Sequence, residues 1–524
     1  MTIINPDTRT ADMREGIALS EHETIKTEHA SWLQGDERHP ELDLMHKFKY
    51  VSALSENESG TCALFVLAEG QREANNYRRT LWSITLAGPK QLTAIGDEGS
   101  YVWEGDDGVI FPAKRTAEEK KRAEEGYKET TYYRLKLDEA GEALPAFTLP
   151  LEVQSLLPLG NDEYLLVSQT SPEDGEFWSL GDKERKEQLA AKKAKEWRTE
   201  IEQIPYWFNG RGYLGTGRGR LFYYNSQTEE LKALSPVELS LSAATLSQDK
   251  KRLYLTGDPW SHKLKLTDGI WCYDHERGTL DCLSEDSGLS AGVVFELGDE
   301  LVLYASDMQE LGINQDPTVW TWDRERKQAV EQADSSLMIG NSVGTDVSLG
   351  GGRPLKIADD HVLMLWTERS RAILRRMNAD FSLETVFDRP GSVTGFAQLG
   401  DELLISGLQD MQIGEIYRVV SQDDTSIEPL TSFNRELFAE REIIQPIFEP
   451  FESPLGDGLV DGFLLLPPGY DPERAEAYPA ILDIHGGPKT VYGEVYYHEM
   501  QAWAREGYVV MFCNPHGSDG RGNE

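Results

Sequence analysis

The sequence predicts an all-β, seven-bladed β-propeller followed by the opening of an α/β unit. Two observations carry the first part. Apolar strand-like runs recur, each followed by a second run with a large residue at its centre: Trp82, Tyr133, Tyr223, Trp271, Trp320, Leu374 and Tyr417. Most of these markers stand about fifty residues apart, within the range of propeller blades. A third observation carries the second part. Near the end of the chain, the apolar run Ala480-Ile481-Leu482-Asp483-Ile484 enters the turn His485-Gly486-Gly487-Pro488. A helical pattern over Glu494 to Glu506 follows, stops at Gly507, and gives way to the apolar run Tyr508 to Cys513. Strand, glycine-rich turn, helix and strand make a βαβ unit.

Composition suits this plan. The chain has 524 residues, 39% of them hydrophobic, with 12 Trp, 21 Tyr and 47 Gly, enough apolar material for more than one core. Ninety acidic residues against 52 basic ones give a formal charge of −38. Such a field repels nucleic acid and anionic membranes, and it is compatible with cationic peptides or simply with solubility. Cys62, Cys272, Cys282 and Cys513 are scattered without a C-x-x-C; Cys272 and Cys282 could face each other across a hairpin, but free thiols are the default in a chain of this size. The first residues hold no apolar leader core and no run reaches membrane length, so a cytoplasmic protein is expected. Oligomeric state, a homo-oligomer included, is left open.

Residues 1–42 read as a polar N-terminal segment with a short helix over Asp12 to Leu19. His22-Glu23-Thr24-Ile25-Lys26 lacks the second histidine of a zinc helix motif, so His22 and His29 are read as exposed polar residues, and neither a metal nor another cofactor is expected. Residues 43–433 hold the blades, with strands such as Cys62 to Ala68 and turns such as Asp274 to Gly278. Two helices interrupt them. Thr116-Ala117-Glu118-Glu119 is a capping box opening a helix that ends at Gly126. Asp182 is the expected cap of a longer helix over Lys183 to Glu200, with Leu189, Ala190, Ala194 and Trp197 as a thin apolar stripe. Gly215-Thr216-Gly217-Arg218-Gly219 precedes a strand rather than a helix, so it reads as a hairpin turn and not a phosphate loop. Arg211 and Arg218 could still meet a substrate carboxylate.

Residues 434–524 begin the α/β unit: Glu442-Ile443-Ile444 leads to a hairpin turning at Gly456-Asp457-Gly458 and returning through Leu459 to Leu466. The chemistry concentrates at the glycine pair. Gly486 and Gly487 lack Cβ atoms, so the backbone turns sharply and a reacting group approaches closely. An N–H held there can face a developing oxyanion. Pro488 stiffens the exit. His485 is read as shaping this loop, because a general base would need a nucleophile beside it.

His485-Gly486-Gly487-Pro488, then Ala504-Arg505-Glu506-Gly507-Tyr508-Val509-Val510, then Asn514-Pro515-His516-Gly517-Ser518-Asp519-Gly520-Arg521-Gly522 together resemble the prolyl oligopeptidase family, in its acylaminoacyl-peptidase-like branch. The resemblance implies a propeller joined to an α/β-hydrolase carrying Ser, Asp and His, with the Gly487 N–H as one oxyanion donor. His516 departs from it, since the family usually has Arg there. In α/β-hydrolases the nucleophile elbow, acid and histidine all follow the oxyanion strand, and none is identifiable before Glu524. The lone G-x-S-x-G, Gly340-Asn341-Ser342-Val343-Gly344, precedes the loop and has loop-like Asp346 to Gly352 after it; Ser342 is read as a chance match. The expectation is therefore the N-terminal part of a serine peptidase acting on short peptides, its triad beyond this chain and the chain itself inactive. An esterase or amidase on the same fold, and a propeller binding module with a vestigial hydrolase segment, stay open as alternatives.

Overall fold

The computed structural model describes residues 3–4 and 42–523, apart from 140, 210–211, 334–337, 351–353, 422–424, 440, 455, 457 and 488. The expected helix over Asp12 to Leu19, His22, His29, Arg211 and Pro488 lie outside the described residues.

From Lys49 the chain lays down one antiparallel meander after another. Five four-stranded sheets span residues 49–91, 102–149, 152–233, 239–284 and 290–333, each from one continuous stretch. A nine-stranded sheet follows over 338–429, its two parts meeting where Ala372 pairs in parallel with Ser392. Second strands are buried on both faces: every residue from Ala63 to Ala68 is buried in the strand Ala63–Gln71, because neighbouring sheets cover it on either side. Val51 and Leu54 of the first sheet pack with Ala397, Leu399, Leu404 and Ile416 of the last strands. The ring is thereby closed, and the architecture is a β-propeller.

The large markers occupy equivalent places. Trp82, Tyr133, Tyr223, Trp271 and Trp320 fall in the third strands Asn76–Thr85, Thr130–Lys136, Arg218–Asn225, Gly269–Asp274 and Thr318–Asp323. Leu374 and Tyr417 fall in Arg371–Asn378 and Glu415–Ser421 of the nine-stranded sheet. Trp271 and Trp320 are used alike: each indole N–H donates to a carbonyl of the preceding strand, Gly257 O at 2.9 Å and Ala305 O at 3.0 Å. That bond lets the ring pack without stranding its donor.

Links between second and third strands leave on one side of the ring, because successive meanders run in the same sense. Two of them carry helices. Ala117–Glu124 opens on the expected capping box of Thr116 and Glu119. The second differs from expectation. It is Asp182–Lys193, with Asp182 already its first residue; the cap is Gly181, whose N–H donates to the Glu184 carboxylate at 2.8 Å. Glu184 at the third position shifts the start by one residue, and beyond Lys193 too little apolar surface remains to hold further turns. Ala194 and Trp197 lie past its end, with Trp197 68% exposed. Residues 214–217 form a linker from the hairpin Trp207–Phe208/Gly212–Tyr213 into the strand Arg218–Asn225, not the expected hairpin turn. Cys282 pairs opposite Trp271 rather than Cys272, and all four cysteines are free thiols.

After Arg435–Phe438 the chain builds a mixed sheet in the order Ile447–Phe448, Leu459–Leu465, Val509–Asn514, Ala480–Asp483, with Phe451–Glu452 also beside Leu459–Leu465. Only Ala480–Asp483 and Val509–Asn514 run parallel, joined by a crossover that includes the helix His498–Arg505. Met500 and Ala504 of that helix pack with Phe463, Leu465, Val510 and Phe512. The helix is shorter than the predicted Glu494 to Glu506, because the chain before it is bonded to the propeller, through Thr490 and Val491 as described below and through Tyr496 O, which accepts from Thr345 Oγ1 at 2.8 Å. Among the described residues no helix is long and apolar enough to cross a membrane.

Candidate active site

The strand Ala480–Asp483 delivers the chain into the loop of His485, Gly486 and Gly487. Gly487 sits at φ +128°, and a Cβ there would come within 2.5 Å of the Lys489 nitrogen. No side chain fits that bend, which is why glycine stands there. Gly487 is exposed, and among the described residues no group accepts its main-chain N–H. A free main-chain donor at the end of a strand is the arrangement that acyl-transfer chemistry uses to hold an oxyanion.

His485 is more closely engaged than the sequence reading anticipated. Its Nδ1 lies 3.0 Å from Gly486 O and its Nε2 2.9 Å from Ser518 Oγ. With its proton on Nδ1 the ring donates to Gly486 O and accepts from the serine; with the proton on Nε2 it donates to Ser518, whose hydroxyl then donates to Pro515 O at 2.8 Å. No carboxylate among the described residues orients this imidazole. The nearest candidate in sequence, Asp483, instead accepts from Tyr492 Oη at 2.8 Å. Burial, and then that bond, push the Tyr492 hydroxyl well above its ordinary pKa. Ser518 and His485 are thus a pair without a third member. The partner of His485 was invisible in sequence because it stands 33 residues downstream, in the 514–522 stretch that only the family resemblance had marked.

Asn514 of that stretch clamps the loop's exit: its side chain accepts from Tyr492 N at 2.7 Å and donates to Tyr492 O at 2.9 Å. The propeller holds the same exit from the other side. Ser342 O accepts from Val491 N at 3.1 Å and from Thr490 Oγ1 at 2.8 Å, while Gly344 N donates to Val491 O at 2.8 Å. Val343 and Val491 consequently form a parallel bridge. The G-x-S-x-G stretch is therefore a docking strip, and among the described residues the Ser342 hydroxyl meets only Met338 Sδ, at 3.6 Å. Arg218 is engaged elsewhere, stacked 4.6 Å over the Trp260 ring and donating to Val237 O at 3.1 Å. His516, two residues before Ser518, is exposed.

No protein-family model matches the chain. An uncharacterized peptidase of Bacillus subtilis (strain 168), YuxL, is 28% identical over 263 residues, covering 48% of this chain and 31% of that protein. The aligned stretch thus spans about a third of the relative's length. Among solved structures, the Pyrococcus horikoshii acylaminoacyl peptidase superposes with a TM-score of 0.66 at 18% identity, covering 91% of this chain and 67% of that one. A puromycin-hydrolyzing peptidase of Mycobacterium tuberculosis gives 0.61 at 14% identity, covering 92% and 68%. The chain therefore has the fold of propeller-containing peptidases. Within that class its neighbours are an acylaminoacyl peptidase and puromycin hydrolases, and the resemblance to the prolyl oligopeptidase family read from the C-terminal motifs is borne out.

Proposed function

We propose that the chain belongs to a serine-type peptidase that cleaves short peptides in the manner of acylaminoacyl peptidases and oligopeptidases. On this reading the ring has seven blades, with the nine-stranded sheet counted as two, and residues 434–524 open an α/β-hydrolase domain. The observation that carries it is the Gly487 N–H, in an exposed bend just past Ala480–Asp483 and without an acceptor among the described residues, in a fold shared with peptidases. That amide holds negative charge on the carbonyl under attack, with the propeller limiting access to short, flexible chains. Scattered free thiols fit a cytoplasmic enzyme. Esterase or amidase action on the same site differs only in the leaving group.

A second reading rests on the 2.9 Å contact between His485 Nε2 and Ser518 Oγ, which would make Ser518 the nucleophile. Two observations weigh against it: Ser518 is buried, and among the described residues no carboxylate orients the histidine.

The test uses the full-length gene product with acyl-peptide nitroanilides, and a fluorophosphonate probe for an activated serine. We expect turnover and labelling. Gly487→Ala keeps the N–H, but its Cβ would collide with Lys489 N and re-aim it; kcat should fall by up to the roughly 10²–10³-fold that one lost oxyanion donor costs. Labelling that vanishes with Ser518→Ala would establish the second reading; absence of both turnover and labelling would overturn the peptidase.

A further inference from the structure

Two residues beyond Gly487, Lys489 leaves the loop and reaches into the propeller. Its Nζ donates to Asn314 O at 2.9 Å and to the carboxylate of Asp316, and lies 3.5 Å from Asp519 Oδ1. Asn314 closes the turn Gly312–Asn314, and Asp316 leads into the strand Thr318–Asp323, so both belong to a link between second and third strands. Asp316 and Asp519 are each 1% exposed. Neither oxygen of Asp519 has a hydrogen-bond partner among the described residues, so the Lys489 ammonium is its nearest compensation. A short way off, Asp461, also buried, is flanked by Arg369 of the propeller at 2.7 Å and Arg521 at 2.8 Å. Three carboxylates thus face three cations along the contact between propeller and C-terminal segment.

Burial of this kind decides what Lys489 does. A lone ammonium on a surface loop gains little from a neighbouring acid, because water screens it. An ammonium set between two buried carboxylates is held strongly, since its departure would leave their charge in a poor solvent. The backbone here leaves no slack. Gly520, at φ +80°, passes so close to Arg369 that a Cβ would lie 2.6 Å from Arg369 N. Thr490 and Val491 are bonded to Ser342 immediately after Lys489. The segment leaving the Gly487 bend is thereby pinned to two separate parts of the propeller.

We propose that Lys489 is a positioning residue: by anchoring the glycine loop to Asp316 and Asn314, it makes the propeller set the direction of the Gly487 N–H. The consequence for catalysis rests on the reading of that amide as an oxyanion donor, whereas the anchoring itself does not. Lys489 touches no reacting atom; it acts through the loop.

Two measurements separate the two statements. In the protein spanning residues 1–524, amide hydrogen exchange of a peptide covering 485–492 is compared among wild type, Lys489→Met, Lys489→Arg and Asp316→Asn. Met keeps the aliphatic stem without the charge, and protection of the first sheet, 49–91, reports whether each variant is folded. We expect exchange in the loop to rise at least tenfold in Lys489→Met and Asp316→Asn, with Lys489→Arg close to wild type and the first sheet unchanged. Unchanged loop exchange in both neutral variants overturns the proposal. In the full-length gene product we expect kcat for an acyl-peptide nitroanilide to fall about tenfold or more in Lys489→Met at unaltered KM, and Arg to restore it. Faster exchange with an unaltered kcat upholds the anchor and overturns instead the oxyanion role of Gly487.

Discussion

Asp346, on the propeller side, accepts the main-chain N–H of His498 at 2.7 Å and that of Glu499 at 2.9 Å. The helix His498–Arg505 has no side-chain cap of its own, so its free N–H groups are satisfied from outside the segment. Burial raises the Asp346 carboxyl pKa in spite of those donors. Asp346→Ala should cost about 1–2 kcal/mol, the usual loss of a helix cap. Urea unfolding read at residues 498–512 by hydrogen exchange checks this, and Asp346→Asn should recover only part of the loss, because His498 and Glu499 donate to different carboxylate oxygens and an amide keeps one of the two acceptors.

Ser342 gives the opposite expectation. It supports the docking strip through its carbonyl, which any residue supplies, and among the described residues its hydroxyl meets only a thioether. Ser342→Ala should change stability by no more than about 0.5 kcal/mol and leave turnover of the full-length gene product untouched. Loss of activity in that variant would return the G-x-S-x-G match to the chemistry.

Asp268 provides a pH test within the propeller. Burial raises its pKa to about 6, against one donated N–H from Ala291 at 2.8 Å. A carboxyl whose folded pKa is raised binds its proton more tightly in the native chain than in the unfolded one. Its stabilising share is complete below the ordinary aspartate range and is lost as pH rises through about 6. Asp268→Asn removes that dependence, so between pH 4 and pH 7 the variant should gain on wild type by about 1–3 kcal/mol. Denaturant midpoints at the two pH values decide it.

The outer face of the C-terminal sheet sets a solubility prediction. Leu482 is 56% exposed, Ile484 73% and Met511 39%, on or beside the strands Ala480–Asp483 and Val509–Asn514. A contiguous apolar surface beside an open strand edge promotes association. Leu482→Lys with Met511→Lys should reduce self-association of the 1–524 protein in light scattering, with little change in its thermal midpoint.

Much of this fold could be read from residue pattern because it is local. The third strands announce themselves by a large central residue, and the same geometry that half-buries Trp271 and Trp320 spaces them. The Thr116–Glu119 box is legible for the same reason, its two partners being three residues apart. At Asp182 the rule misled, because the Glu184 carboxylate reaches back to Gly181 and moves the helix start. The Gly487 bend could be anticipated from the chemistry of glycine. Its supports could not: Lys489 meets Asp316 across 173 positions, and Thr490 meets Ser342 across 148. Ser342 shows the converse. A five-letter motif suggested a hydroxyl, whereas the fold uses the main chain around it.

The links between second and third strands have a further consequence. Asn314, Asp316 and Arg369, which touch the C-terminal segment, all come from them. So do residues 113–129 and 171–217, which carry the two inserted helices and an aromatic hairpin. Lengthening or trimming these connections remodels the side of the ring from which they leave, while every sheet keeps its hydrogen-bond ladder. New selectivity can therefore evolve on this scaffold one link at a time, with the rigid annulus acting as a fixed mount for interchangeable parts.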